Sequence, residues 1–152
     1  MTDLLITAAE VLETAFPSNE YVPEGMIVPA RIETAQLGFL RPVFGKLYDK
    51  LGEEPYAAFC RTYIKPALAY YVRYLMVDEQ CAAIGAAGVR QNKSAYTEAV
   101  PDSRLHRLAR NDADTLLDKA IDYVENNPAM FPEYDPKENI RRRVLIKGGF
   151  IL

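Results

Sequence analysis

The chain has no tryptophan, a single histidine and only two cysteines among its 152 residues. One histidine allows at most one histidine-centred metal site or catalytic triad. The two cysteines, Cys60 and Cys81, are too few for a disulfide framework, and neither belongs to a CxxC motif or a Cys/His pair at zinc spacing. The sequence therefore predicts two small buried thiols in a reducing cytoplasm.

An excess of basic residues is also absent. Lysine and arginine together number 18 against 21 aspartates and glutamates, so the net charge is −3, whereas nucleic-acid-binding domains usually carry a basic excess. The longest apolar run, residues 66–77, contains Arg73 and is shorter than the roughly 20 residues that span a bilayer. The opening MTDLLITAAEVLETAF has no basic segment of the secretory-signal type. We expect neither a dedicated nucleic-acid binder nor a membrane protein.

Motifs of catalysis and cofactor binding are missing as well. The sequence contains no GxSxG, Walker loop, GxGxxG or HExxH pattern. His106 lies beside the apolar stripe of a predicted helix, which is typical of a surface histidine rather than a catalytic base. The sequence therefore predicts no enzyme, no cofactor and no metal site.

The spacing of apolar residues predicts helices throughout. Thr7 and Glu10 form a capping box that begins a helix ending near Ala15. Pro29 suits the first turn of a second helix, which is predicted to end before Pro42. A short helix is predicted over residues 43–51, with Phe44, Leu47, Tyr48 and Leu51 on one side.

Two longer helices follow. Residues 56–87 predict a helical stretch that Pro66 should kink or break. Its part after Pro66 is apolar on nearly every side, which favours a central position in the domain or burial between subunits. Residues 102–126 show the cleanest amphipathic stripe, which includes Leu108, Ala113 and Leu117. The MFPEYDP turn that follows, residues 130–136, is expected to pack back on the helices.

The expected fold is all-α, with four to five helices in a compact bundle, an extended loop or arm and a short C-terminal extended tail. The arm is residues 89–100, which are polar and without helical period. The division we predict is a helical domain over residues 1–136 and a basic and apolar C-terminal arm over residues 137–152, with residues 144–146 in a short strand or extended conformation.

Asp114, Asp118 and Asp122 recur every four residues on one helix. Stacked carboxylates could bind a divalent cation, which would suit a small metal-dependent enzyme. Helical di-metal sites, however, draw Glu and His from several helices, and no Glu-x-x-His is present. Arg110 and Lys119 can neutralise the stripe from neighbouring positions, so a solvated acidic face is the favoured interpretation.

Charge is distributed unevenly along the chain. Residues 137–152 carry a net charge of +4, and since the whole chain carries −3, the other residues carry −7. A basic arm on an acidic body can pair with a neighbouring copy or contact nucleic acid. A solvated, partly disordered tail is the equally open alternative. The ten tyrosines suit a helical core and a subunit interface alike. The candidate interface residues are Arg90, Lys93, Arg141, Arg142, Arg143, Lys147 and Phe150.

Four segments carry a resemblance to a known family. They are QLGFLRPVFG at residues 36–45, IKPALAY at 64–70, Gly88-Val89, and NPAMFPEY at 127–134. In order and spacing, residues 3–135 resemble small helical proteins of gut-bacterial phages and prophages, which are similar to the head–tail connector (head-completion adaptor) proteins of tailed bacteriophages.

The resemblance implies a structural virion protein without enzymatic activity, assembled in the bacterial cytoplasm. Such adaptors form a homo-oligomeric ring, commonly of twelve copies, between the portal and the tail-completion proteins. DNA passes through the lumen without sequence-specific binding. The alternative left open is a soluble bacterial helical protein-interaction module. A ring of defined copy number would favour the connector, and a monomer or symmetric dimer would favour the module.

Overall fold

A computed structural model describes residues 3–17, 22–86 and 102–142. Within these ranges the chain is helical and contains no strand, which confirms the predicted all-α class. The predicted arm at residues 89–100 and the predicted extended residues 144–146 lie outside the described ranges. The α-helices are α1 (Ala8–Ala15), α2 (Pro29–Ala35), α3 (Arg41–Phe44), α4 (Ala57–Phe59), α5 (Lys65–Ala86) and α6 (Asp102–Asn126), with short 3₁₀ turns at Glu24–Met26, Gly45–Lys50 and Pro136–Glu138.

The capping box at the start of α1 is confirmed. The backbone N–H of Glu10 donates to Thr7 Oγ1 at 3.2 Å, and the backbone N–H of Thr7 donates to Glu10 Oε2 at 2.8 Å. Two otherwise free backbone donors are thereby satisfied by residues three apart. Helix α1 ends at Ala15 as predicted, and Val11 and Ala15 are buried.

The prediction that the second helix ends before Pro42 is wrong. Helix α2 continues through a π-helical turn, Gln36–Leu40, into α3, and Pro42 lies within the first two residues of α3. The backbone N–H of Arg41 donates to the carbonyl of Gln36, five residues back. A proline removes one N–H and its ring collides with the preceding turn. The wider turn just before Pro42 makes room for the ring, so the chain stays helical.

The same arrangement occurs at Pro66. A second π-helical turn, Cys60–Ile64, joins α4 to α5, and the backbone N–H of Lys65 donates to the carbonyl of Cys60. At Pro66, where a kink or a break was predicted, the structure has a local widening of the helix just before the proline. In both places a five-residue π-helical turn is followed by one basic residue and then the proline.

Residues 43–51 bury the side predicted for them. Phe44, Leu47, Tyr48 and Leu51 all belong to the core. The prediction of one helix over these residues is wrong, because α3 ends at Phe44 and a 3₁₀ turn begins at Gly45, whose φ of 54° lies in the left-handed region. Glycine is favoured there because it has no Cβ.

Helix α5 packs mainly against α6 and α1 and lies at the centre of the bundle. A central position was one of the two positions predicted for this apolar helix. Leu68, Tyr71, Val72 and Met76 are buried. Helix α6 contributes an inner face of small and apolar residues: Ala109, Ala113, Leu117, Ala120, Ile121 and Val124. Leu108, predicted on that face, is 46% exposed because Ala109 takes the inner position at that turn. No helix in the described ranges has the length and apolarity needed to cross a membrane.

Candidate functional site

The predicted acidic stripe on α6 binds basic residues of the same chain. Arg141 Nη1 lies 3.2 Å from Asp114 Oδ1, and Arg141 Nη2 lies 2.6 Å from Asp118 Oδ1. Arg142 pairs with Glu125 and lies 3.8 Å from Asp122 Oδ1. We call Asp114, Asp118, Asp122 and Glu125 the acidic stripe. Asp118 and Asp122 are exposed, as predicted for a solvated acidic face, and guanidinium groups of the same chain also neutralise the stripe.

Burial raises the pKa of Glu125, but the hydrogen bonds that it accepts from Arg142 and Tyr134 outweigh this effect and hold the pKa below its ordinary value. The pKa of Arg142 is raised because its side chain donates to Glu125. Both directions show that the pair favours its charged state.

Asn139 attaches the segment before Arg141 to the body. It is fully buried, its Nδ2 donates to the hydroxyl of Tyr134 at 2.9 Å, and its Oδ1 accepts from the backbone N–H of Arg141 at 2.9 Å. Tyr134 in turn donates to Glu125 Oε2 at 2.9 Å. Residues 139–142 are therefore held against α6, and Arg142, the last described residue, lies beside Glu125.

Of the seven candidate interface residues, the structure brings Arg141 and Arg142 together on the acidic stripe. Arg143, Lys147, Phe150, Arg90 and Lys93 lie outside the described residues. The predicted division after residue 136 stays a prediction, although residues 139–142 contact the helical body directly.

Three aromatic rings surround the guanidinium of Arg110. It lies 5.0 Å from the ring centroid of Phe39, 5.3 Å from that of Tyr74 and 5.9 Å from that of Tyr71. Arg110 Nε also lies 3.2 Å from Asp114 Oδ1, which accepts from the hydroxyl of Tyr71. These contacts join α6 to α5 and to the first π-helical turn. Arg110 neutralises the stripe as predicted, whereas Lys119 lies over the ring of Tyr63.

A second surface, which we call the aromatic cleft, lies on another flank of α6. It has a volume of about 640 Å³ and a mainly apolar lining. Its main aromatic and apolar members are Tyr56, Phe59, Tyr63, Tyr123, Met130 and Phe131. The rings of Tyr63 and Tyr123 stack at 4.5 Å, and Phe59 meets Phe131 edge-on at 4.8 Å.

The rim of the aromatic cleft is open to solvent. Met130 is 54% exposed, and Ala58 and Thr62 are also exposed. Phe131 is buried, which confirms that the MFPEYDP turn packs back on the helices. The hydroxyl of Tyr56 donates to Glu133, and this hydrogen bond raises the pKa of Tyr56 to about 12. The phenol therefore stays protonated and serves the structure of the cleft wall.

A polar cleft of about 570 Å³ is lined by residues in and next to the two π-helical turns. Its lining includes Leu37 of the first turn and Arg41 of α3. On the other side it includes Cys60 and Arg61 of the second turn and Lys65 of α5. Lys65 Nζ lies 2.7 Å from Glu10 Oε1, and Glu10 has a pKa below its ordinary value chiefly because of this hydrogen bond. Burial raises the pKa of the Cys60 thiol to about 11, so this thiol is not an activated nucleophile. The burial predicted for Cys60 is confirmed, while the side chain of Cys81 lies outside the description.

His106, the single histidine, occupies a structural position. His106 is half-buried and meets Tyr74 edge-on at 5.6 Å. In the described part of the chain, no three histidine, cysteine or acidic side chains are grouped closely enough to hold a metal ion. The aromatic cleft escaped sequence analysis because its members come from α4, the second π-helical turn, α6 and the turn after it. The one available signal was the density of tyrosine and phenylalanine in these segments.

Comparison with known proteins gives one family. Searches of the curated proteins and of the solved structures returned no match. Residues 38–144, which exceed half of the chain, match the model of a family described as a family of unknown function (DUF6712). The matched region runs from the first π-helical turn to just beyond Arg142 and so contains the acidic stripe and the aromatic cleft. The chain belongs to this family, DUF6712.

Proposed function

We propose that the protein is a structural component of a tailed-phage virion: a head–tail connector that forms a homo-oligomeric ring between the portal and the tail-completion proteins. In this proposal it has no enzymatic activity, and DNA passes through the lumen of the ring. The resemblance of residues 3–135 to connector proteins motivates the proposal, and the all-α body is consistent with it.

The observation that carries the proposal is the presence of two different surfaces on one protomer. The aromatic cleft is apolar and open at its rim. The acidic stripe, on another flank of the same helix, holds Arg141 and Arg142 at the point where the described chain ends. A ring needs a heterologous interface, in which two unlike patches of each copy meet. The aromatic cleft can receive a segment of another copy, and Arg142 is the fixed point after which such a segment begins. This pair of unlike features is consistent with a heterologous interface.

The titratable groups support a structural role. The tyrosines with raised pKa values, Tyr56, Tyr71 and Tyr134, each donate a hydrogen bond to a carboxylate. These pairs join one element of the fold to another. None of the three presents a poised acid or base to a substrate, as general acid–base catalysis requires.

The net charge of −3 fits a conduit rather than a DNA-binding protein. Tight, sequence-independent binding of DNA needs clustered lysine and arginine that release counterions. Of the basic residues, Arg110, Arg141 and Arg142 already pair with carboxylates of the same chain. Weak interaction with DNA would allow it to pass.

The test is the native mass of the full chain, measured by multi-angle light scattering at several protein concentrations and two salt concentrations. The measurement is repeated with the portal protein encoded by the same phage genome. We expect a closed ring, alone or on the portal, that persists at high salt because apolar contacts are not screened. A monomer or symmetric dimer in every condition, with no portal complex, would contradict the proposal and favour the helical interaction module.

A further inference from the structure

Residues 143–152, RVLIKGGFIL, follow directly on the segment held against α6. They contain six large apolar residues and two basic ones: Val144, Leu145, Ile146, Phe150, Ile151 and Leu152, with Arg143 and Lys147. A stretch of this composition gains free energy when its apolar side chains leave water. The body of the protein offers an open apolar surface in the aromatic cleft.

The point where this stretch begins is fixed. Arg142 pairs with Glu125, and its backbone N–H donates to the carbonyl of the buried Asn139 at 3.1 Å. Ten residues in extended conformation span at most about 33–36 Å. This reach is about three times the diameter of an α-helix with its side chains, so the stretch can extend beyond its own protomer.

The aromatic cleft of the same copy lies on a different flank of α6 from this starting point. Successive residues of an α-helix are separated by about 100° around its axis, so Tyr123 lies about 100° from Asp122 and about 160° from Glu125. To reach its own cleft, the stretch would cross the exposed polar surface of α6.

We infer that residues 144–152 of one copy bind in the aromatic cleft of the next copy, with Phe150 placed against the exposed Met130 side of the cleft. This inference rests on the proposed ring, and it names the two surfaces that form its interface. The contact is directional, since the apolar stretch of each copy meets the cleft of a neighbour, and repetition of it can close a ring.

Two complementary variants of the full chain test the inference. Met130→Arg places a charge at the exposed rim of the cleft, and Phe150→Asp places one in the apolar stretch. Leu108→Arg is the matched control, because Leu108 is 46% exposed on α6 and does not line the cleft. Circular dichroism verifies that all three variants keep their helical content.

We expect each of the two variants alone to be monomeric and the control to assemble like the wild type. An equimolar mixture of Met130→Arg and Phe150→Asp should yield heterodimers of twice the monomer mass, because the mixture contains one intact stretch and one intact cleft. Rings formed by either variant alone, or a mixture that stays monomeric, would overturn the inference.

A cross-link decides between binding to a neighbour and binding within one chain. The photoreactive residue benzoylphenylalanine replaces Phe150 in full-length protein, and equal amounts of ¹⁴N- and ¹⁵N-labelled chains are mixed before irradiation. We expect mixed-isotope cross-links to peptides that contain Met130 or Tyr63. Cross-links within one chain, or only to other surfaces, would overturn the inference.

These outcomes separate the inference from the proposed function. Wild-type rings that survive both substitutions would refute the assigned interface and leave the connector proposal standing. Mixed-isotope cross-links to the cleft, together with wild-type protein that forms no ring alone or on the portal, would keep the interface and refute the connector proposal.

Discussion

Gln36 is the fully buried amide that fastens the start of the chain to the bundle. Its Oε1 accepts from the backbone N–H of Leu5 at 2.7 Å. Its Nε2 donates to the carbonyl of Asp3 at 3.1 Å and to the hydroxyl oxygen of Tyr48 at 3.0 Å. Replacement of Gln36 by leucine keeps a side chain of similar size and removes all three hydrogen bonds.

The expected cost follows from these contacts. A buried polar group left without a partner costs about 1–3 kcal/mol. Tyr48 is buried and Leu5 half-buried, so water compensates their losses only in part, whereas Asp3 is exposed and can turn to solvent. We expect Gln36→Leu to lower the free energy of unfolding by about 2–4 kcal/mol. For a domain of this size that corresponds to a fall in Tm of about 5–15 °C.

Urea denaturation followed by circular dichroism measures the loss, and hydrogen exchange of the Leu5 amide reports on the contact itself. The matched control is Thr34→Leu, an exposed position two residues earlier in the same helical segment, which should change stability by less than about 0.5 kcal/mol. A Gln36→Leu protein as stable as the control, with Leu5 still protected, would refute the reasoning.

Three further predictions concern other contacts. Gly45→Ala should lower stability by about 1–3 kcal/mol, because its φ is 54° and an added Cβ would lie 2.8 Å from Glu138 Oε2; an unchanged urea midpoint would contradict this. The Glu125–Arg142 pair should stabilise the fold above about pH 4.5 and lose this effect as the pH falls through the lowered pKa of Glu125; Glu125→Gln should therefore lower the urea midpoint at pH 7 far more than at pH 3. Deletion of residues 143–152 should impair assembly and, measured at a concentration where the protein is monomeric, leave the melting temperature unchanged. Deletion of residues 137–152 should keep the helical circular dichroism but lower the melting temperature, since it also removes the buried Asn139; equal melting temperatures for the two truncations would refute this.

The sequence predicted those elements whose signals are local. Thr7 and Glu10 determine the start of α1 by hydrogen bonds between residues three apart, and the structure has both bonds. Helix α6 has the predicted bounds, because its apolar stripe persists over many turns and Asp102 and Asn126 begin and end it. Local chemistry suffices in these places.

Contacts between distant parts of the chain could not be predicted from the sequence in this way. Arg141 and Arg142 were recognised as candidate interface residues from charge alone, and charge does not say which carboxylates they meet. The structure shows that their partners lie on α6 of the same chain. The aromatic cleft needs residues from α4 and α6, more than sixty positions apart, and no local pattern predicts such a surface.

The two π-helical turns determine which side of each helix remains buried after its proline. Ile32, Gln36, Leu40 and Phe44 are all buried at intervals of four residues. In a regular α-helix a step of four residues turns by about 400°, so such a row drifts by about 40° at every step. A wider turn rotates less per residue and cancels part of that drift. Tyr56, Cys60, Ile64, Leu68, Val72 and Met76 form the second such row.

The consequence is that the extra residue and the proline of each turn depend on each other. A π-helical turn holds about one residue more than an α-helical turn, so removal of one residue from Gln36–Leu40 would let the segment close as an ordinary α-helix with Phe44 still facing the core. The ring of Pro42 would then collide with a regular preceding turn, at a cost of about 3 kcal/mol. Relatives of this protein that are one residue shorter in either turn should therefore also lack the proline that follows it.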